Sequence, residues 1–276
     1  MHIKPIASIP EIDLFYISHH FLSRSVSKKY YKMDAQRAQT PPLIAAVTKG
    51  DETTVKLLLT SDTSSINSRD SDGRTPLFHA VRVKKHDGIF HLLLAKPTID
   101  VAAKENKGWS ALTDAATLGL ESLAKTLLAT GKIDVNAKAN DSRTPLSYAA
   151  GEGHEAVVKL LFSVPGIDIN AADPENWTPL TYAVGHGHAE VVRLLLAVEG
   201  IDPDPKDDGW TPLCTACEQG YVDIVRQLLA TRAVDVNVMT KDGTPLDIAS
   251  HYGWDEIVKM LSYESETPGH QDASPG

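Results

Sequence analysis

The chain of 276 residues carries 27 Lys and Arg against 36 Asp and Glu, a formal net charge of -9 with a pI near 5.6. That balance gives no global attraction to phosphates, so neither nucleic acid nor an anionic membrane is the expected partner, and a basic protein surface is electrostatically easier to meet. Apolar residues reach 42% but aromatics only 6%, so the core must be built from Ala, Leu, Val and Ile; the two cysteines exclude a disulfide framework, and no run of about 18 apolar residues could span a bilayer.

Residues 1–39 place Ile12, Phe15, Tyr16, His19 and Leu22 near one helical face, which predicts an N-terminal extension with a helix capping the rest of the chain. Ile9-Pro10-Glu11-Ile12-Asp13-Leu14 and Val26-Ser27-Lys28-Lys29-Tyr30-Tyr31 resemble the two ends of an F-box, which would imply a substrate-recognition adaptor of a cullin-type ubiquitin ligase. The stretch between them is about one helix too short for that family, so the cap is preferred. Met1 to Pro10 hold Lys4 with no apolar stretch ahead of a small-residue cleavage site. No secretory signal is read there, and cytoplasm or nucleus is the expected compartment.

From residue 40 the chain repeats itself. Pro42, Pro76, Ala111, Pro145, Pro179, Pro212 and Pro245 succeed one another at intervals of 34, 35, 34, 34, 33 and 33 residues, marking seven units over 40–263. Thr-Pro suits a helix start, because the hydroxyl accepts a free amide and Pro fits the first helical position. Small residues recur at or next to one phase, at Ala46, Ala80, Ala116, Ala149, Ala183, Ala216 and Ala249, where neighbouring helices must come close. Gly50, Gly119, Gly153, Gly187, Gly220 and Gly253 can take the left-handed conformation that ends one helix before a second, Leu-rich one. Unit two departs from the pattern, with Lys84-Lys85-His86-Asp87-Gly88 in place of the interhelical Gly. Residues 264–276 are Glu, Ser, Pro and Gly rich and are expected to form a disordered tail.

The recurring Thr144-Pro145-Leu146-Ser147-Tyr148-Ala149-Ala150, Gly153-His154 and Val157-Val158-Lys159-Leu160-Leu161 resemble the ankyrin repeat. The resemblance implies an all-α solenoid of stacked helix-turn-helix units with protruding β-hairpin loops, acting as a protein-binding module or scaffold. One unit cannot cover its own apolar face, so the units must stack. The His that the family carries after the Leu of Thr-Pro-Leu is absent, replaced by Ile44, Phe78, Thr113, Ser147, Thr181, Cys214 and Asp247.

In that family the residue before each Thr-Pro faces the hairpin base and the concave side, where partners bind. Here the row reads Arg74, Trp109, Arg143, Trp177 and Trp210, residue types enriched in binding hot spots. Packing of each Trp on the next hairpin, with Arg143 stacked on a ring, is the alternative reading. The turn and interhelical residues Asp72, Lys107, Asp141, Glu175, Asp208, Glu152, His186 and Gln219 would complete the surface. Asp202, Asp204, Asp207 and Asp208 concentrate acidity near its C-terminal half and would favour a partner with a basic segment. A monomer is expected.

Signals of chemistry are weak. Cys214-Thr215-Ala216-Cys217 has redox spacing, but both sulfurs occupy small-residue phases and no second pair completes a zinc site. His186 and His188 could ligate a metal, yet His154 and His188 sit where ankyrin repeats commonly carry a structural His. Gly151-Glu152-Gly153-His154-Glu155-Ala156 fits a dinucleotide pattern but comes after a helix, not a strand. No enzyme, cofactor or metal is expected.

Overall fold

The computed structural model describes residues 40–61, 64–83, 87–207 and 209–266. The chain divides after Thr40, and the unit beginning at Pro41 holds all of the described helices. The capping-helix and F-box-like readings of 1–39 lie outside the described residues.

Seven helix pairs succeed one another, fourteen α-helices among the described residues. They are α1 (Pro42–Lys49) with α2 (Glu52–Ser61), α3 (Pro76–Arg82) with α4 (Asp87–Leu94), α5 (Ala111–Thr117) with α6 (Glu121–Ala129) and α7 (Pro145–Gly151) with α8 (Glu155–Phe162). Then come α9 (Pro179–Gly185) with α10 (Ala189–Leu196), α11 (Pro212–Gln219) with α12 (Val222–Ala230) and α13 (Pro245–Tyr252) with α14 (Asp255–Glu266). The last helix runs through Glu266, past the start of the tail expected from composition, because Ile257 and Leu261 anchor it in the core. Residues 267–276 lie outside the described residues.

The helix starts obey the expected chemistry. Thr75, Thr144, Thr178 and Thr211 accept a bond from the amide three residues on, and Pro opens each of these helices. In unit three Ser110 caps instead, and Thr113 returns the bond. The positions where the family's His is missing serve this cap: Ser147 Oγ lies 3.1 Å from Thr144 Oγ1, and Thr181 Oγ1 lies 3.2 Å from Thr178 Oγ1.

Bonding between repeats is carried elsewhere. His154 Nε2 donates to the Thr117 carbonyl at 2.9 Å and His188 Nε2 to the Gly151 carbonyl at 3.0 Å, each reaching back one repeat. Tyr221 and Trp254 hold the same place in later repeats, and the four rings lie over Gly119, Gly153, Gly187 and Gly220. Each of these glycines has positive φ, and a Cβ on any of them would sit within 3 Å of the ring above it.

Small apolar residues fill the stack. Ala115, Ala116, Ala149, Ala150, Ala183 and Ala216 are fully buried, beside Val157, Val158, Val191, Val192 and Leu228. Leu128 packs against both of the apolar clusters that make up the core, one formed by units one to three and the other by units three to seven. Cys214 and Cys217 are buried here, and burial pushes both thiols up, away from a reactive thiolate. At the opposite edge, Asn67, Asn136 and Asn170 each bridge the next loop: Asn136 Nδ2 donates to the Gly166 carbonyl at 2.8 Å and its Oδ1 accepts from the Asp168 amide at 2.9 Å. Ala102 stands at this phase in unit two and has no amide side chain to offer.

The hairpins are tight turns closed by single antiparallel bridges, such as Lys104 with Ser110 and Asp207 with Trp210, and no strand forms among the described residues. Nor is any described helix long and apolar enough to cross a membrane.

Two glycines separate the costs of backbone and packing. Gly166 (φ 80°) has nothing within 4 Å of a built Cβ, whereas a Cβ on Gly153 (φ 75°) would meet His188 Nδ1 at 2.5 Å. Gly166→Ala is expected to cost only the left-handed backbone penalty, about 1–2 kcal/mol. Gly153→Ala should cost clearly more, and urea denaturation of the two variants measures the difference.

Candidate functional site

Because every repeat has the same backbone, one phase of the sequence lines one face of the stack. Two phases meet on the hairpin side of the first helices: the residue before the helix cap, and the residue three beyond its opening Pro. The second reads His79, Asp114, Tyr148, Tyr182 and Thr215 in units two to six. His79, Tyr148, Tyr182 and Thr215 bond residues of their own hairpins, whereas Asp114 bonds Arg82 of the preceding repeat.

In units two and three the surface is charged and internally paired. His79 Nε2 lies 2.7 Å from Asp70 Oδ2, and Arg74 pairs with Asp72 at 2.8 Å. Arg82 reaches across to Asp114 in a two-pronged bond, Nε to Oδ2 at 2.8 Å and Nη2 to Oδ1 at 2.7 Å. Burial raises the Asp114 carboxyl and the Arg82 guanidinium opposes the rise; burial also holds His79 below its ordinary range, against the pull of Asp70.

The middle of the row is a stack of rings around a cation. Trp109 packs on Tyr148 with centroids 4.7 Å apart, and Trp177 packs on Tyr182 at 5.2 Å. Between the two tyrosines lies Arg143, its guanidinium carbon 4.2 Å from the Tyr148 centroid and 3.9 Å from that of Tyr182. The order Trp109, Tyr148, Arg143, Tyr182, Trp177 thus spans three repeats without interruption. The tyrosine hydroxyls donate to carboxylates of their own hairpins, Tyr148 to Asp141 at 2.6 Å and Tyr182 to Asp173. Burial above all, and then the Asp141 carboxylate, push the Tyr148 phenol up; burial does the same to Tyr182, with Arg143 acting against it. Gly151 and Gly185 at the ends of α7 and α9 make the room, since a built Cβ would meet Arg143 Nη2 at 3.2 Å and the Trp177 ring at 3.3 Å.

The remaining expected residues are placed less uniformly. Trp210 stands apart from the ring stack and donates from Nε1 to Thr215 Oγ1 at 2.9 Å. His186 bonds through Nδ1 to the Tyr182 carbonyl at 2.9 Å, and burial lowers its pKa below the ordinary 6.5. Gln219 donates to Glu218 at 3.1 Å. Lys107, Asp141, Glu152 and Glu175 are exposed around the stack, and Asp208 lies outside the described residues. The acidic stretch near Asp202 is tied up in loop structure: Asp202 Oδ1 accepts the Asp204 amide at 3.0 Å, and Asp204 Oδ2 lies 3.5 Å from Lys206 Nζ. Reading the row before Thr-Pro alone missed Tyr148, Tyr182, Arg82 and Asp114; tracing the position three beyond each Pro would have found the tyrosines and Asp114.

Comparison with known proteins agrees with this architecture. The family model for ankyrin repeats (3 copies) matches the chain six times in overlapping stretches, at 19–105, 43–139, 85–173, 112–207, 165–242 and 198–272. The chain belongs to the ankyrin repeat family. The first ankyrin match begins at residue 19, inside the stretch read as an N-terminal extension. Among solved structures, the ankyrin repeat domain of Bcl-3, described as a unique member of the IkappaB protein family, superposes with a TM-score of 0.69 at 24% identity, covering 82% of this chain and 100% of that one. At that identity the likeness speaks for the ankyrin fold alone. No curated protein sequence matches the chain.

The buried groups lead to two expected outcomes. Asp114 is 2% exposed and Arg82 33%, so Arg82→Ala strands a buried carboxylate. The expected loss in urea denaturation is about 2–3 kcal/mol, below that for a fully buried pair because Arg82 is partly solvated. For His186, the folded state resists a proton that the unfolded chain takes near pH 6.5. Its contribution is therefore present at neutral pH and is lost as pH falls below about 6.5 toward the lower folded value. His186→Gln, which keeps an amide donor for Tyr182, should flatten that part of the stability profile when melting is monitored from pH 7 to about 5.

Proposed function

We propose that this ankyrin array is a non-catalytic binding module that holds a partner protein along its hairpin side, centred on the Trp109 to Trp177 stack. Ankyrin repeats are in general protein-interaction modules, which sets the class of function. The observation that carries the placement is the stack itself: half-buried Trp109, Arg143 and Trp177, rigidly packed, with exposed Lys107, Asp141, Glu152 and Glu175 around them. Trp and Arg held in place by neighbours lose little freedom on binding, and a polar rim around such anchors is the usual anatomy of an interface. The net charge of -9 favours a partner that carries a basic segment.

The partner is best obtained by capture on the tagged full chain and then titrated against variants. Trp177→Ala is expected to weaken binding by about 2 kcal/mol or more. Because Trp177 also packs within the fold, charge reversals at the exposed Glu152 and Glu175 supply the cleaner test. Glu152→Lys with Glu175→Lys should leave unfolding free energy within about 0.5 kcal/mol and still reduce affinity, most strongly at low ionic strength. Unchanged affinity in both variants would move the interface off this face.

A further inference from the structure

The hairpins are not equally joined. In two successive steps the amide of one hairpin bonds the carbonyl of the hairpin before it: Asn106 N–H to the Asp72 carbonyl and Asn140 N–H to the Lys107 carbonyl, both at 2.9 Å. The next link in the series would run to the carbonyl of Asp141, but the donor position is Pro174, which has no N–H. The acceptor side is altered too. Where Gly108 lets the Asn140 side chain approach within 2.5 Å of a built Cβ, the fourth hairpin carries Ser142, a residue with a real Cβ held at φ 62°. Among the described residues no main-chain bond links the tips of the hairpins of units four and five, so the ladder has a break, a notch in its row of bonds, between Asp141-Ser142 and Pro174-Glu175.

Arg143 rises from the fourth hairpin beside this notch. Both faces of its guanidinium are covered by Tyr148 and Tyr182, which leaves only its edge to hydrogen-bond. Among the described residues the one bond along that edge is a long contact from Nη2 to the Ser147 carbonyl at 3.5 Å, and the buried Nε finds no acceptor. The nearby carboxylates are turned away: Asp141 Oδ2 takes the Tyr148 hydroxyl and Asp173 Oδ2 the Tyr182 hydroxyl. Among the described residues no carboxylate pairs with Arg143, whereas Arg82 in unit two is fully forked onto Asp114. Nε is enclosed and closed to a partner, but the terminal Nη groups of an arginine fixed in this orientation can receive a planar anion end-on, and their geometry fits a carboxylate.

We infer that this notch receives a carboxylate: an Asp or Glu side chain of an extended partner segment seats on the Arg143 edge, with apolar neighbours in that segment resting on Trp109 and Trp177. This rests on the binding-module reading and adds the chemistry of its central contact. The long-range field of the acidic chain and this short-range seat act at different distances, so a partner basic overall still places one acidic residue here. The carbonyl of exposed Asp141, which takes no main-chain bond among the described residues, would accept an amide of the same segment.

The test is a selection of random linear peptides, displayed on phage, against the full chain, and then a double-mutant cycle on the best binder. Peptides selected by the wild type are expected to share an Asp or Glu at one position between apolar residues. Replacing that Asp by Asn should weaken binding about tenfold or more, and should change little against Arg143→Gln. A merely structural role for Arg143 would leave the Asp-to-Asn loss the same in both proteins. If Arg143→Gln fails to fold, as melting will show, Arg143→Lys keeps the charge without the fork and should shrink the same coupling. Enriched peptides lacking the acidic position, or a loss from Asp to Asn that is independent of Arg143, would overturn the carboxylate seat while leaving the binding module standing. No enrichment at all would overturn both.

Discussion

Everything in this molecule depends on how closely one helix pair can approach the next. A pair of helices of about eight residues cannot bury its own apolar stripe, so stability comes from the interfaces between pairs. Those interfaces are thin because Ala115, Ala149, Ala183 and Ala216 line them, and they stay thin at the corners because Gly119, Gly153, Gly187 and Gly220 admit the next ring. The corner ring then does two tasks. His154 and His188 fill the space over a glycine and also cap a carbonyl of the previous repeat, one of the orphan acceptors that every helix end leaves.

The same spacing brings the hairpin bases into register and turns single sequence positions into continuous rows. Once the backbone is held constant, the row can change chemistry from repeat to repeat at little structural cost. At the position three beyond the helix opening, His79 pairs with Asp70 and Asp114 with Arg82, while Tyr148 and Tyr182 join an aromatic stack. The two arrangements demand opposite things of a position further along the helix. Arg82 fills it where a carboxylate must be neutralised; Gly151 and Gly185 empty it where Arg143 and Trp177 must lie flat. A buried charge that is paired and a cation enclosed by rings are two solutions to the same desolvation cost.

Much of this was open to reading in the chain alone. The period of 33 to 35 residues, the Thr-Pro openings and the interhelical glycines specify seven helix pairs, because each signal reflects a local constraint on φ or on a backbone amide that holds wherever the motif stands. The row Trp109, Arg143 and Trp177 could be picked out by phase, and so could Asp141 and Glu175 at the turn tips.

What joins the row across repeats was not legible, because Trp109 meets Tyr148 and Arg143 meets Tyr182 over 39 positions of sequence, a distance set by packing. Sequence phase places Arg143 and Trp109 on one face, but only the stacked structure puts Tyr182 of the next repeat over the guanidinium. In the same way Pro174 reads in sequence as one more turn proline. Its effect, an unmade link between two hairpins beside an arginine with donors to spare, exists only once the repeats are stacked, since a missing amide matters only where a neighbour's carbonyl would have met it.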